Sequence, residues 1–281
     1  LPNKILLNGP KGIGKKLFVN HFLNYFYLKD SKISYNLKNY EYNLSNNISK
    51  LISSNSHPNV LKIYKKNDKK LIDIDQIRDM IQFTNQTSFN NDRRFIIIEN
   101  VNLLGINSAN ALLKSIEEPN NKIHFILINN SEFKVLETIK SRCLEFKLNL
   151  LNSEVIEIVN YHFEADIYKD INLDFINNYN SPSFLISLVN FLESNDLSIK
   201  DNSIEDLLAY IIKNKSYTSN DFIKEYLNLF IELFFYKNIN ISKKISFKIR
   251  KYFYLKLSFV KKYNLDFESF FLEFNDKLLS E

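Results

Sequence analysis

Residues 93–143 read RRFIIIENVNLLGINSANALLKSIEEPNNKIHFILINNSEFKVLETIKSRC, and this stretch decides the fold. Phe95–Ile98 is a continuous apolar run, the pattern of a strand buried on both faces of a parallel sheet. The run ends at Glu99, a carboxylate at the carboxyl end of a strand, where open α/β sheets place their ligands. Ala109, Leu112, Leu113 and Ile116 recur at helical spacing on one face, and Pro119 should stop that helix. Ile123–Ile128 is a second buried run, closed by Asn129 and Asn130. Ser141-Arg142-Cys143 then precedes the alternation Leu144, Phe146, Leu148, which has the period of a further strand.

Working outward, Ile5-Leu6-Leu7 forms a short strand that feeds Gly9-Pro10-Lys11-Gly12-Ile13-Gly14-Lys15-Lys16. This is G-x-x-x-x-G-K between a strand and a helix, the setting a phosphate loop requires. Glycines such as Gly9, Gly12 and Gly14 let successive backbone N–H groups turn inward, and the helix N-terminus adds positive potential. Lys15 supplies a point charge for the terminal phosphates. The next position should be Ser or Thr, whose hydroxyl holds Mg²⁺, but Lys16 cannot ligate a cation. The dinucleotide fingerprint fails as well, because Leu17 stands where its third glycine belongs. Phe18, His21, Phe22 and Tyr25 are expected to form the buried face of the helix. A short helix is expected around Ile48–Ile52. His57-Pro58 leads into a second strand, Val60–Tyr64, with His57 structural. Asp73 or Asp75 caps a helix carrying Ile74, Ile77 and Ile81. The four histidines, His21, His57, His124 and His162, lack ligand spacing, and His124 reads as a satisfied structural residue.

A chain of 281 residues, 45% hydrophobic and 25% charged, is an ordinary globular protein of one large or two to three smaller domains. Four glycines and five prolines leave little irregular structure. The abundant Lys, Asn and Ile read as AT-rich coding, so the asparagine clusters do not signal disorder. The net charge of +5 includes the pairs Lys65-Lys66, Lys69-Lys70, Lys243-Lys244 and Lys261-Lys262, more in keeping with solvated faces than with strong direct DNA binding. The single cysteine, Cys143, excludes an intramolecular disulfide and a multi-cysteine zinc site. No apolar run approaches the ~20 residues a membrane span needs, so a cytoplasmic protein is expected. After Leu148 the pattern is helical only: Leu151–Phe163, Leu173–Leu192, Ile204–Lys213, Ser219–Tyr236, Ile241–Leu257 and Leu265–Leu279, with a polar break at 195–203.

The run NSANALLKSIEEP, followed by Asn130 and then SRC, resembles the clamp-loader branch of the AAA+ ATPases, and most of all its delta-prime family from bacterial DNA polymerase III. The resemblance covers roughly the first half of the chain. It implies an α/β AAA+ P-loop parallel-sheet domain at 1–149, a small helical lid at 150–202 and an all-α oligomerisation collar at 203–281. It implies that Arg142 is an arginine finger offered in trans to ATP on a neighbouring subunit. It places Asn130 at the sensor-1 position, Glu99 at the metal-binding carboxylate and Asn100 where active members carry the catalytic Glu. The second sensor arginine would fall near Ser183, in Asn180-Ser181-Pro182-Ser183. Lys16, Glu99, Asn100 and Ser183 are thus four departures from a hydrolysing site. ATP or ADP is at most retained weakly without turnover. The partners implied are tau/gamma and delta subunits, a sliding clamp and, through the complex, primer-template DNA. Beginning at Leu1 directly before a strand, the sequence is expected to be a fragment lacking a short adenine-holding segment. The rival readings are an ATP-hydrolysing tau/gamma-type motor and a basic nucleic-acid-binding module.

Overall fold

The apolar runs become strands of one parallel sheet in the computed structural model, which describes residues 1–29, 35–66, 69–117, 122–176, 180–241, 245–263 and 265–279. The strands are β1 (Lys4–Gly9), β2 (Val60–Ile63), β3 (Arg94–Glu99), β4 (Ile123–Asn130) and β5 (Leu144–Lys147), in the spatial order β2-β3-β4-β1-β5. Parallel neighbours need crossovers, and the helices supply them: α1 (Lys15–Leu28), α2 (Asn47–Ser53), α3 (Ile74–Asn85), α4 (Ile106–Glu117) and the single turn α5 (Glu137–Lys140).

Side chains alternate across a strand, so each buried run feeds two cores. Leu6, Ile96, Ile98, Phe125 and Leu127 pack on one face with Ile77, Met80, Ala109, Leu112 and Ile116 of α3 and α4. Leu7, Phe95, Ile97, Ile126 and Ile128 pack on the other with Val19 and Leu23 of α1 and Ile52 of α2. The fold class is the expected one, a P-loop parallel-sheet domain followed by helices. Asp73 caps α3 by accepting the Asp75 N–H at 3.3 Å. Pro119 lies outside the described residues.

Within the sheet unit, α1, β5 and β2 depart from the expected pattern. The fully buried apolar residues of α1 are Val19, Leu23 and Leu28. Of the expected face, Phe22 packs partly buried against Phe95, while Phe18 is 58% exposed and Tyr25 is also exposed. This helix is apolar nearly all round, and the sheet selects the i, i+4 row that continues from Lys15. The strand β5 lies at the sheet edge and pairs only with β1, so Leu144 and Phe146 stay exposed despite their alternation. Tyr64, expected in β2, falls just beyond it and is exposed.

The chain divides into two compact units, Leu1–Leu150 and Leu151–Glu281. The described elements of the second unit are helical: α6 (Asn152–Phe163), α7 (Pro182–Ser194), α8 (Ile204–Lys213), α9 (Ser216–Ser219), α10 (Asp221–Tyr236), α11 (Phe247–Tyr263) and α12 (Glu268–Phe274). The helix expected over Leu173–Leu192 is not continuous. Leu173–Phe175 is a 3₁₀ turn, and α7 starts only at Pro182. Proline lacks the N–H of a helix interior but suits its first position, and the Ser181 hydroxyl caps that start. Helix α11 starts at Phe247 instead of Ile241, and Lys243-Lys244 lies outside the described residues. A packed aromatic core of Phe230, Phe234, Phe235, Phe253, Phe270 and Phe274 holds this unit together, with Phe253 and Phe274 edge to face at 5.2 Å.

Leu23→Ala should cost about 2–5 kcal/mol in urea unfolding, because it opens a cavity against the sheet. Phe18→Ser should stay within about 0.5 kcal/mol. The reverse order would restore the phase expected from the aromatic residues.

Candidate functional site

Parallel strands bring all their carboxyl ends to one edge of the sheet. There Gly9 of β1 lies opposite Asn130 of β4, and Glu99 of β3 lies opposite Ile128 of β4. The loop leaving β1 needs its glycines. A Cβ on Gly9 would sit 2.3 Å from the Leu148 carbonyl oxygen, and Gly14 has φ +89°, where side chains are strained. Gly12 also has positive φ, 81°. Gly14 is the N-cap of α1 and no side chain caps that helix, so the first-turn N–H groups have no intrahelical acceptor. Such groups, with the helix dipole behind them, favour anions.

The Lys15 side chain is folded into this loop and buried. Its Nζ donates to the carbonyl oxygens of Gly9 at 2.7 Å and Pro10 at 2.5 Å. Burial pushes its ammonium down to about 8, against the opposing pull of the Glu132 carboxylate. Lys16 points the other way, across the edge. Its Nζ lies 3.0 Å from one Glu99 carboxylate oxygen and 3.1 Å from the other. The Glu99 side chain is only 14% exposed, so this pair is partly desolvated. A divalent cation, which the resemblance implies for such a loop, does not fit these residues. The position for a ligating hydroxyl carries an ammonium, and that ammonium already occupies the one carboxylate.

Asn100 follows Glu99 in the left-handed region, φ 54° and ψ 58°, which asparagine tolerates better than most residues. Its Oδ1 accepts a hydrogen bond from Asn130 Nδ2 at 3.0 Å, so these two residues are joined as a neutral amide pair. Neither side chain titrates. Lys62 of β2 is held by Asn20 Oδ1 at 3.0 Å and the Ile52 carbonyl at 2.9 Å. Burial lowers its pKa, Glu99 raises it and Lys16 lowers it further, which places all three in one electrostatic neighbourhood.

Some of these residues escaped the sequence reading. Asn129 Nδ2 donates to Asn8 Oδ1 at 3.0 Å, and Asn8 Nδ2 donates to Glu145 at 2.8 Å. This amide ladder ties β4, β1 and β5 together beside the loop. Its only trace in the sequence was two polar residues at the ends of apolar runs, in a chain where asparagine is common. His124 lies within β4, where Nδ1 meets the Pro2 carbonyl at 3.0 Å but Nε2 has no partner, so it is half satisfied. His57 accepts the Asn59 N–H on Nδ1 at 3.2 Å and lies against the Tyr27 ring, a structural setting.

Arg142 lies at the other edge. Register pairs Ile5 with Leu144, so Arg142 precedes the amino end of β5, whereas the loop follows the carboxyl end of β1. The four-residue rise from Ile5 to Gly9 spans ~13 Å along the strand. The Arg142 guanidinium donates to the Thr138 carbonyl at 3.0 Å and to Glu117 Oε1 at 2.9 Å, and its side chain is 38% exposed. An exposed pair of this kind holds weakly, by ~0.2–1 kcal/mol, and leaves the guanidinium available to another acceptor. The site residues therefore fall into two groups, Gly9–Lys16, Glu99 and Asn130 at one edge and Arg142 at the opposite one. A separate groove of about 800 Å³ between α3 and α4, lined by Ile81, Asn85, Asn107 and Lys114, shares no residue with either group.

Comparison with known proteins matches residues 1–152 to a family model described as DNA polymerase III, delta subunit. A DNA polymerase III subunit delta' of Pseudomonas aeruginosa is 31% identical over 140 residues, 50% of this chain and 41% of that protein. The subunit delta' of Buchnera aphidicola subsp. Schizaphis graminum is 34% identical over 169 residues, 59% of this chain and 49% of that protein. The subunit gamma of the same Buchnera is 40% identical over 83 residues, 30% of this chain and 23% of that protein. The chain thus spans about half or less of the length of these three relatives. Among the described residues no helix is long and apolar enough to cross a membrane.

Cys143, next to Arg142, has its thiol pushed up to about 11 by burial. Its alkylation by iodoacetamide should therefore be slow at neutral pH and keep accelerating beyond pH 9, where an ordinary thiol of pKa ≈ 8.5 levels off. A plateau near pH 9 would mean that the thiol is solvated.

Proposed function

The chain belongs to the family described as DNA polymerase III, delta subunit, and on that premise we propose that it is a delta-prime-like clamp-loader subunit that does not hydrolyse ATP itself. It offers Arg142 to ATP bound on a neighbouring subunit and helps load a sliding clamp onto primer-template DNA. Its companions are tau/gamma-type and delta-type subunits.

The observation that carries this reading is the placement of Arg142 on the amino edge of a sheet whose carboxyl edge bears the loop. An arginine there faces away from its own loop and is useful to a phosphate only on another chain. A finger supplied in trans is worth ~10³–10⁵ in turnover, because it stabilises charge that develops in the transition state. The chain's own loop supports the same division of labour. Hydrolysis needs a cation held by hydroxyl and carboxylate and a group that positions water. Here Lys16 is paired with Glu99, and Asn100 is paired with Asn130. The weak tether to Glu117 keeps the Arg142 guanidinium at the surface until a better anion, the neighbour's phosphate, competes for it.

In a reassembled loader with clamp and primed DNA, whose remaining ATP sites have been inactivated, Arg142→Ala should cut turnover at the neighbouring site by roughly 10³-fold or more. Lys15→Ala should leave that turnover unchanged. If Lys15→Ala abolishes turnover and Arg142→Ala does nothing, the chain is itself a motor and the reading fails.

A further inference from the structure

The two lysines after Gly14 have different tasks. Lys15 turns back into the loop and is absorbed by the carbonyls of Gly9 and Pro10. Lys16 reaches across to the carboxyl end of β3 and lies within 3.1 Å of both Glu99 oxygens. A magnesium ion bound to that carboxylate would need oxygen ligands at ~2.0–2.1 Å in octahedral order. An ammonium has three donors and no acceptor, so it cannot join such a set, and its charge repels a second cation from the same carboxylate. Around Glu99, Asn130 donates to Asn100 and Lys62 is held by Asn20, so the hydrogen bonds of this network are made by amides and ammonium groups. Lys15, Lys16 and Lys62 bring three ammonium groups to this edge, with Glu99 acting on Lys62 and Glu132 on Lys15. Even without a metal, ammonium groups stand beside the uncapped N–H groups of α1.

We propose that the Lys16 ammonium is a built-in cation in the position of the divalent metal, so that the loop binds the phosphates of a nucleoside diphosphate in their metal-free form. The inference rests on the reading of this loop as a site without turnover. A tethered ammonium neutralises part of the phosphate charge and bridges it to Glu99, but it brings no activated water and no open coordination position. The same residue that removes the metal therefore preserves an anion site while removing its chemistry. Lys16 is 66% exposed at its side chain, so it is free to pivot between Glu99 and a phosphate oxygen.

The test is calorimetric titration of the 281-residue chain with ADP, once in EDTA and once in excess Mg²⁺. The wild-type chain should bind ADP in EDTA, with no gain from Mg²⁺. Lys16→Thr should weaken binding in EDTA by roughly tenfold, the worth of one charged hydrogen bond, and regain it when Mg²⁺ is added. Lys15→Ala should weaken binding in both buffers. Circular dichroism checks that each variant keeps its helices. Wild-type binding that requires Mg²⁺, or the absence of ADP binding in EDTA, overturns the built-in cation while leaving the arginine-donor reading intact. ATP turnover by the isolated chain would instead overturn that reading.

Discussion

A parallel sheet buried on both faces forces every strand to run the same way, and the two edges of the sheet consequently differ in chemistry. All carboxyl ends, and the loops that follow them, gather on one side. All amino ends gather on the other. In this chain the constraint is set by β1, β3 and β4, whose side chains alternate between two apolar cores without a polar interruption from Phe95 to Ile98 and from Phe125 to Ile128. Because each residue is locked to a neighbour across the register, Gly9, Glu99 and Asn130 have no choice but to meet. By the same register Arg142 is held away from them. The distance between the loop and the arginine is a property of strand direction, and no local rearrangement of side chains closes it.

Within the carboxyl edge the decisive interactions are electrostatic. A buried lysine such as Lys15 is stable only where its charge is met, and an exposed one such as Lys16 is held in place by its partner. Lys15 is met by main-chain carbonyls, which burial makes an imperfect match, and its pKa falls to about 8. Lys16 is met by a carboxylate and pays less for its position. Both lysines are thereby satisfied within the protein, and so is the Asn100–Asn130 amide pair. The first-turn N–H groups of α1 are the part of the loop without an intrahelical acceptor, and they keep it open to an anion.

The sheet was legible because its strands are apolar on both faces, a pattern few other structures share. The loop was legible because a strand, three glycines and a helix stand in fixed order, and the SRC tripeptide because it follows the second buried strand. The phase of α1 was not legible. Leu17, Phe18, Val19, Phe22, Leu23, Tyr25 and Phe26 surround the helix, so periodicity alone favoured the larger aromatics. Only the sheet buries Val19 and Leu23 fully, while Phe22 and Phe26 reach Phe95 from partly buried positions. The Lys16–Glu99 pair spans 83 positions, and the amide ladder through Asn129, Asn8 and Glu145 spans more, so no local pattern announces either. The break before α7 was signalled by Ser181-Pro182, a start signal outweighed by the apolar residues on either side.

The proposed role has this chain facing a nucleotide with its amino edge, through Arg142, while the nucleotide is bound to a different subunit. Photocrosslinking reads that geometry directly, using an ATP analogue with a photoreactive group on the γ-phosphate and a reassembled loader. The account predicts that label on this chain maps to residues 137–143, that it disappears when the neighbour's phosphate-loop lysine is replaced, and that it persists with Lys15→Ala. Label confined to residues 9–16 and lost with Lys15→Ala would contradict it.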